Sequence, residues 1–188
     1  MEKLFTILDS FTPLSQEEKE LVSKIASRKS YKKNDFILRQ TQICHSINFI
    51  EKGAVKSFYK KKEKDIINWF AFEGHFVASL YSILKQERSY ENIQCIESTE
   101  AIIIPYSAFQ QLCKERISLL LLSKTLTEYY YTLSEERILS LQFHSARERY
   151  ENLLQNEPHL LQRVSLSDIA SYLNTTQVSL SRIRAQKK

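Results

Sequence analysis

The residues of this sequence best suited to chemistry lie near its end, in VSLSDIASYLNTTQVSLSRIRAQ, Val164 to Gln186. There Thr176, Gln177, Ser179, Ser181, Arg182 and Arg184 fall where a short helix would show them to solvent, with Val178, Leu180 and Ile183 recurring at helical spacing. Arg pairs bidentately with guanine and Gln with adenine in the major groove, so the chemistry on offer is hydrogen-bonded reading of base edges. The same spacing also describes an amphipathic helical hairpin that only packs on a neighbour. Elsewhere no nucleophile and base, metal cluster or carboxylate pair can be assembled from spacing, and no enzymatic activity is expected.

Positioning those side chains takes a helix before them and a tight turn between. Leu166, Ile169, Ala170 and Leu173 form the apolar face of that first helix. Ser165 is its N-cap, with Asp168 placed to reach back as in a capping box. Asn174 tolerates the left-handed backbone that ends it, Thr175 or Thr176 caps the second helix, and Ala170 is small where the two helices cross. The product is a helix-turn-helix, a motif that reads DNA with its second member.

Only two of the 188 residues are glycine, Gly53 and Gly74, so no GxGxxG or Walker loop can be written. The net charge is +5, and from Arg163 onward Arg163, Arg182, Arg184, Lys187 and Lys188 face one acid, Asp168. A basic end on a polar helix suits an anionic polymer, although a solubilising tail has the same composition. No apolar run approaches the ~20 residues of a membrane span, and none has signal length, so a cytoplasmic protein without membrane contact is expected. The three cysteines, Cys44, Cys95 and Cys113, and the four histidines are scattered, which suits unpaired thiols in a reducing compartment. Cys44-His45 could serve as a sensor pair or simply pack. No metal site and no cofactor are assigned.

Upstream, Ser15-Gln-Glu-Glu18 is a capping box opening a helix with Leu21, Val22 and Ile25 on one face. From about Lys32 the period becomes two. Strands are predicted at Asp35–Arg39, Ile47–Glu51, Ala54–Tyr59, Ile66–Phe70, His75–Val77, Ile93–Glu97 and Ala101–Ile104, with a charged turn at Lys60–Asp65 and a helical patch after Val77. Short strands so spaced indicate an antiparallel roll or barrel. A helical region follows Pro105. In it Leu119, Leu122, Leu126, Tyr129 and Leu133 keep a 3-4-3-4 spacing, the seam of a helix that pairs with its own copy. The same stripe could instead lie on the roll. Ser145-Ala-Arg-Glu148 starts a fresh helix carrying Tyr150, Leu153 and Leu154, so a hinge is expected near His144.

Three stretches carry a resemblance: INFIEKGAVKSFY (47–59), GHFVASL (74–80) followed by Glu87-Arg-Ser89, and Leu180-Ser-Arg-Ile-Arg184. In this order, over nearly the whole chain, the sequence resembles the Crp/Fnr family of bacterial transcription regulators. The resemblance implies an α+β fold. An N-terminal double-stranded β-roll, jelly-roll-like and related to cyclic-nucleotide-binding domains, would be the effector domain, residues 1–112. A long dimerisation helix would follow at 113–143, and a small helical DNA-binding domain at 144–188. Because the sequence ends soon after the second helix, that domain is expected to lack a full wing.

The resemblance also implies roles for particular residues. In members that answer cyclic AMP, Arg and Ser hold the phosphate, and these positions are Arg88 and Ser89. The Gly-Glu pair that approaches the nucleotide and holds its ribose is Ala78-Ser79 here, so an anionic effector other than cyclic AMP, or no small ligand at all, is expected. Arg88 could equally pair with Glu87 or Glu91. Family members that hold an iron–sulfur cluster use four cysteines, which three scattered ones do not match. Base contacts would come from Gln177, Val178 and Arg182, with Val178 able at most to touch a thymine methyl. Ser165, Ser167, Thr175, Thr176 and Arg184 would meet phosphate, and Ser179 completes the surface. The implied function is a homodimeric, sequence-specific regulator that binds double-stranded DNA and works with RNA polymerase. The alternative is a ligand-binding or interaction module whose last helices pack on a partner protein.

Overall fold

The computed structural model describes residues 1–62 and 64–186. Glu63 of the charged turn and Lys187 and Lys188 of the basic end lie outside the described residues.

Two helices open the chain, α1 (Glu2–Phe11) and α2 (Gln16–Ile25). The capping box forms as expected: Ser15 Oγ accepts from the Glu18 amide at 3.3 Å, and Glu18 Oε2 accepts from the Ser15 amide at 2.8 Å. Next come β1 (Ser27–Tyr31), β2 (Phe36–Leu38), β3 (Ser46–Lys52), β4 (Val55–Lys61), β5 (Lys64–Ala71), β6 (Phe76–Val77), α3 (Leu80–Lys85), β7 (Asn92–Cys95) and β8 (Thr99–Pro105). They form two four-stranded antiparallel sheets, ordered β1-β8-β3-β6 and β2-β7-β4-β5. This is the double-stranded roll. Inward residues such as Ile50, Val55, Ile93 and Cys95 form an apolar cluster between the sheets. Gly53, at φ +97, is obligatory between β3 and β4, since a Cβ there would sit 2.5 Å from the Ser98 carbonyl oxygen.

The helices after the roll are α4 (Tyr106–Glu115), α5 (Ile117–Phe143), α6 (Ala146–Asn156), α7 (Leu160–Arg163), α8 (Leu166–Tyr172) and α9 (Gln177–Ala185). The fold is α+β, as the sequence indicates. None of the described helices is long and apolar enough to cross a membrane. Three elements carry no clear sequence signal. Helix α1 has no capping side chain and is held by Leu4 and Leu8, buried against Phe49 and Ile102. Strand β1, Ser-Arg-Lys-Ser-Tyr, exposes four of its five residues and is a strand because β8 offers it a hydrogen-bonding edge from Ile103 to Thr99. Helix α7 is a single turn anchored by the buried Leu160.

The expected dimer seam needs correction. Helix α5 begins at Ile117 rather than at 113, after a break at Arg116. Leu119 and Leu122 have no exposed surface and belong to the cluster of Leu4, Leu8, Val22 and Phe109, with Leu126 packed against it. They therefore bind the helix to its own roll. Tyr129 is 42% exposed and stacks edge-on to Phe11, and Leu133 is 38% exposed. Tyr130 extends the inward face, its phenol oxygen accepting from the Phe76 amide at 2.8 Å. On the opposite side of α5, Ile117, Leu120, Leu121, Tyr131, Ile138 and Leu139 are exposed. A helix apolar on two opposite faces serves two partners, and the 3-4 spacing does not say which face meets which.

Leu122→Ala should lower unfolding free energy by about 2–5 kcal/mol in urea titrations, the range for a fully buried leucine. Leu120→Ala, on the outward face, should stay within about 0.5 kcal/mol in the monomer.

Candidate nucleic-acid interface and effector site

The C-terminal helices pack around Tyr150, Leu153, Leu160, Val164, Ile169, Ala170, Leu173 and Leu180. Between α8 and α9 Asn174 adopts φ +49, and Thr176 caps α9 by accepting from the Ser179 amide at 3.1 Å. Ser165 caps α8, accepting from the Asp168 amide at 3.2 Å. The expected capping box is not completed there, because the Asp168 carboxylate takes Lys56 of β4 at 3.1 and 3.2 Å instead.

Helix α9 points its Leu180 inward and lays Gln177, Val178, Ser181, Arg182 and Ala185 along one exposed face. Val178 is 62% exposed and so is not on the packed side. Among the described residues the side chains of Gln177, Arg182 and Arg184 have no hydrogen-bonding or ionic partner. Thr176 and Ser179 are joined to each other at 2.9 Å, and Ser165 and Ser167 lie exposed with hydroxyls 3.1 Å apart at the start of α8. Thr175 is half-buried, its amide donating to the Ala170 carbonyl at 2.9 Å.

Arg163 leaves the basic end expected for it. It reaches the roll, giving Glu73 a bidentate pair at 2.8 and 2.9 Å and a further bond to Glu97, with its guanidinium over Phe72. Arg163 holds the Glu73 carboxyl well down, to about 2, and Glu73 also accepts from the Gly53 amide at 2.7 Å. Beside this, Ser171 of α8 donates to the Asp65 carbonyl at 2.9 Å and accepts from the Ile67 amide at 3.0 Å, and Tyr172 packs on Phe70. Two further arginines were not legible as functional. Arg149 is buried and donates to Leu173 O at 3.0 and 2.9 Å and to the His144 carbonyl, tying the end of α8 to the α5–α6 junction. Arg137 lies 3.9 Å from the Tyr172 ring centroid and donates to the Tyr172 carbonyl. The signal available was only an arginine beside helix ends, where carbonyls lack partners.

In the roll, Ser79 and Ser89 come together in the interior, 3.1 Å apart, while Ala78 is half-buried against the apolar lining. Arg88 does not join them. It is exposed, forms only a backbone bridge to Ile43, and has no ionic partner among the described residues. It pairs with neither Glu87, which accepts from the Tyr81 phenol at 2.6 Å, nor Glu91. Instead Glu91 itself turns inward, buried, and accepts from Ser57, with Ser79, Asn68 and Trp69 also donating toward it. Burial pushes its carboxyl above the usual carboxylate range, against the pull of those bonds. A site in which Ser79 and Ser89 are already bonded to each other, Ser57 serves the Glu91 carboxyl and the arginine faces solvent does not fit a cyclic phosphate in this arrangement. A separate cavity of about 530 Å³ is lined by Ile37, Gln42, Cys44, His45, Asn48 and Ile93, and by none of the four expected ligand residues. Cys44 is buried there and burial raises its thiol, so it is packed rather than reactive. No group of three or more metal-binding side chains occurs among the described residues.

Residues 28–116 match the Cyclic nucleotide-binding domain family. No curated protein sequence matches the chain. FixK2 from Bradyrhizobium japonicum has a similar structure, with a TM-score of 0.75 at 20% identity, over 86% of this chain and 84% of that one. A chain from Eubacterium rectale, described as a transcriptional regulator of the Crp/Fnr family, gives 0.71 at 17% identity over 90% and 82%. The c-di-GMP-responsive global regulator CLP of Xanthomonas campestris gives 0.69 at 16% identity over 92% and 91%. At these identities the likeness establishes the shared fold.

Because Glu91 is buried with a raised pKa, the native state is favoured at low pH and loses that advantage as pH rises through the raised value. Glu91→Gln removes this titration. Urea midpoints of the two proteins should therefore diverge in favour of the variant from pH 5 to pH 8; parallel curves would show that Glu91 is freely ionised in the fold.

Proposed function

From a chain with the fold of the Crp/Fnr regulators and a match to the cyclic nucleotide-binding domain over residues 28–116, we propose a sequence-specific, homodimeric DNA-binding transcription regulator. The observation that carries this is the free outer face of α9, where Gln177, Val178, Ser181 and Arg182 stand exposed on a helix anchored from behind by Leu180. Gln177 reads adenine, Arg182 reads guanine and Val178 meets a thymine methyl. Ser165, Ser167, Thr175, Thr176 and Arg184 set register on phosphate. The interaction-module alternative expects Gln177 and Arg182 to be spent within the fold, and they make no such contact among the described residues. The outward face of α5, from Leu120 through Tyr131 to Ile138, is the surface for the second copy, replacing the Leu119–Leu122 seam. RNA polymerase is the partner that a regulator of this kind addresses.

The effector of the roll is not cyclic AMP. Ser79 replaces the ribose-binding carboxylate, Ala78 limits backbone approach, and Glu91 occupies the hydrogen bonds of Ser79 and Ser57. The fold itself tolerates other signals, since one structural neighbour answers c-di-GMP.

Selection from random duplexes should enrich a two-fold sequence; enrichment of nothing would end the proposal. On the enriched site Arg182→Ala should cost about 1–3 kcal/mol and relax preference at one base pair per half-site. Tyr131→Glu with Ile138→Glu should convert the dimer to monomer in light scattering while leaving the circular dichroism spectrum unchanged.

A further inference from the structure

We propose that the β4–β5 hairpin tip of the roll, through Lys60, Lys61, Lys62 and Lys64, is a second DNA-binding surface that grips backbone phosphate beside the reading helix. This rests on the assignment of α9 to DNA. The four lysines are exposed, and none has an ionic partner among the described residues. The ladder places Lys61 directly opposite Lys64, and like charges facing across a strand pair are destabilising. A polyanion relieves that repulsion.

The tip is also braced against the DNA-reading helices. Ser171 of α8 bonds the Asp65 carbonyl and the Ile67 amide, and Lys56 pairs with Asp168. Lys64 is the residue next to Asp65, and Lys60 is its cross-strand partner. At about 3.3 Å per strand residue, the four lysines begin within about 10 Å of the Ser171 contact. Meanwhile the C-terminal helices offer little charge of their own for phosphate. Arg149 and Arg163 are consumed inside the fold and Arg147 pairs with Glu151, which leaves Arg182 and Arg184 among the described residues. Lysines on a solvated turn, or guarding the edge strand β5, would have the same composition, but neither role calls for a clasp to α8.

The test uses the full chain and the duplex it selects, with affinity measured against KCl concentration. Replacing Lys60, Lys61, Lys62 and Lys64 together by Gln should weaken binding to the selected and to an unrelated duplex by a similar factor. It should also lower the slope of log K against log salt by about 1 for each lysine that meets phosphate. The four-arginine replacement should keep the wild-type slope, which separates charge from folding. Arg182→Ala should instead weaken the selected duplex preferentially. A Gln variant with wild-type affinity and slope overturns the proposal. If that variant also loses transcription with purified polymerase, the tip contacts a protein instead. If the wild type selects no duplex, the assignment of α9 has failed and this surface goes with it, a result distinct from failure of the lysines alone.

Discussion

Arg163 leaves the C-terminal helices and inserts its guanidinium between two carboxylates of the roll, Glu73 and Glu97, with Phe72 beneath it. A planar fork meeting one carboxylate at two points resists rotation as well as separation, which a lysine in the same place would not do. Glu73 is itself fixed by the amide of Gly53, a position no side chain can share. Lys56–Asp168, Ser171 on the β5 backbone and Phe70–Tyr172 continue the contact along α8. The direction in which α9 presents its polar face depends on this joint. Ion pairs and hydrogen bonds thus join β4 and β5 directly to α8.

Helix α5 is the other structural member common to both halves. Its inward side is used up in sequence order: Leu119 and Leu122 in the roll core, Tyr130 on the Phe76 amide, Arg137 on the end of α8. Held at these points along its inward side, with Leu133 left exposed between them, the helix acts as a strut, and the carbonyls at its end are closed by Arg149 rather than by solvent. The outward apolar residues contribute nothing to this packing. Their exposure is the kind of unpaired stripe a second helix covers.

The effector region shows how one inward rotamer changes the meaning of a motif. Arg88 and Ser89 stand in the order that a phosphate site requires, yet the serine bonds Ser79 and the backbone of Glu91 while the arginine faces solvent. A buried carboxyl group with hydrogen-bond partners of its own satisfies the interior by itself, and an incoming anion would have to break those bonds and give up its water in the same space. The roll of this chain thus keeps the double-stranded scaffold, with its interior already satisfied around Glu91.

Much of this was legible in one dimension. The capping boxes at Ser15 and Ser145, the left-handed Asn174, the Thr176 cap, most strands of the roll and the outward placing of Gln177 and Arg182 follow from local backbone chemistry, which acts over three or four residues. What local chemistry cannot decide is the partner. Whether Leu119 faces a sister helix or its own roll, whether Arg163 serves DNA or Glu73, and whether Asp168 caps its helix or takes Lys56 each depends on groups 50 to more than 100 residues away. Periodicity specifies a face and composition specifies a charge. Only the folded chain brings up the surface that the face covers or the ion that the charge meets, and in these cases the roll and the helices packed on it supply them.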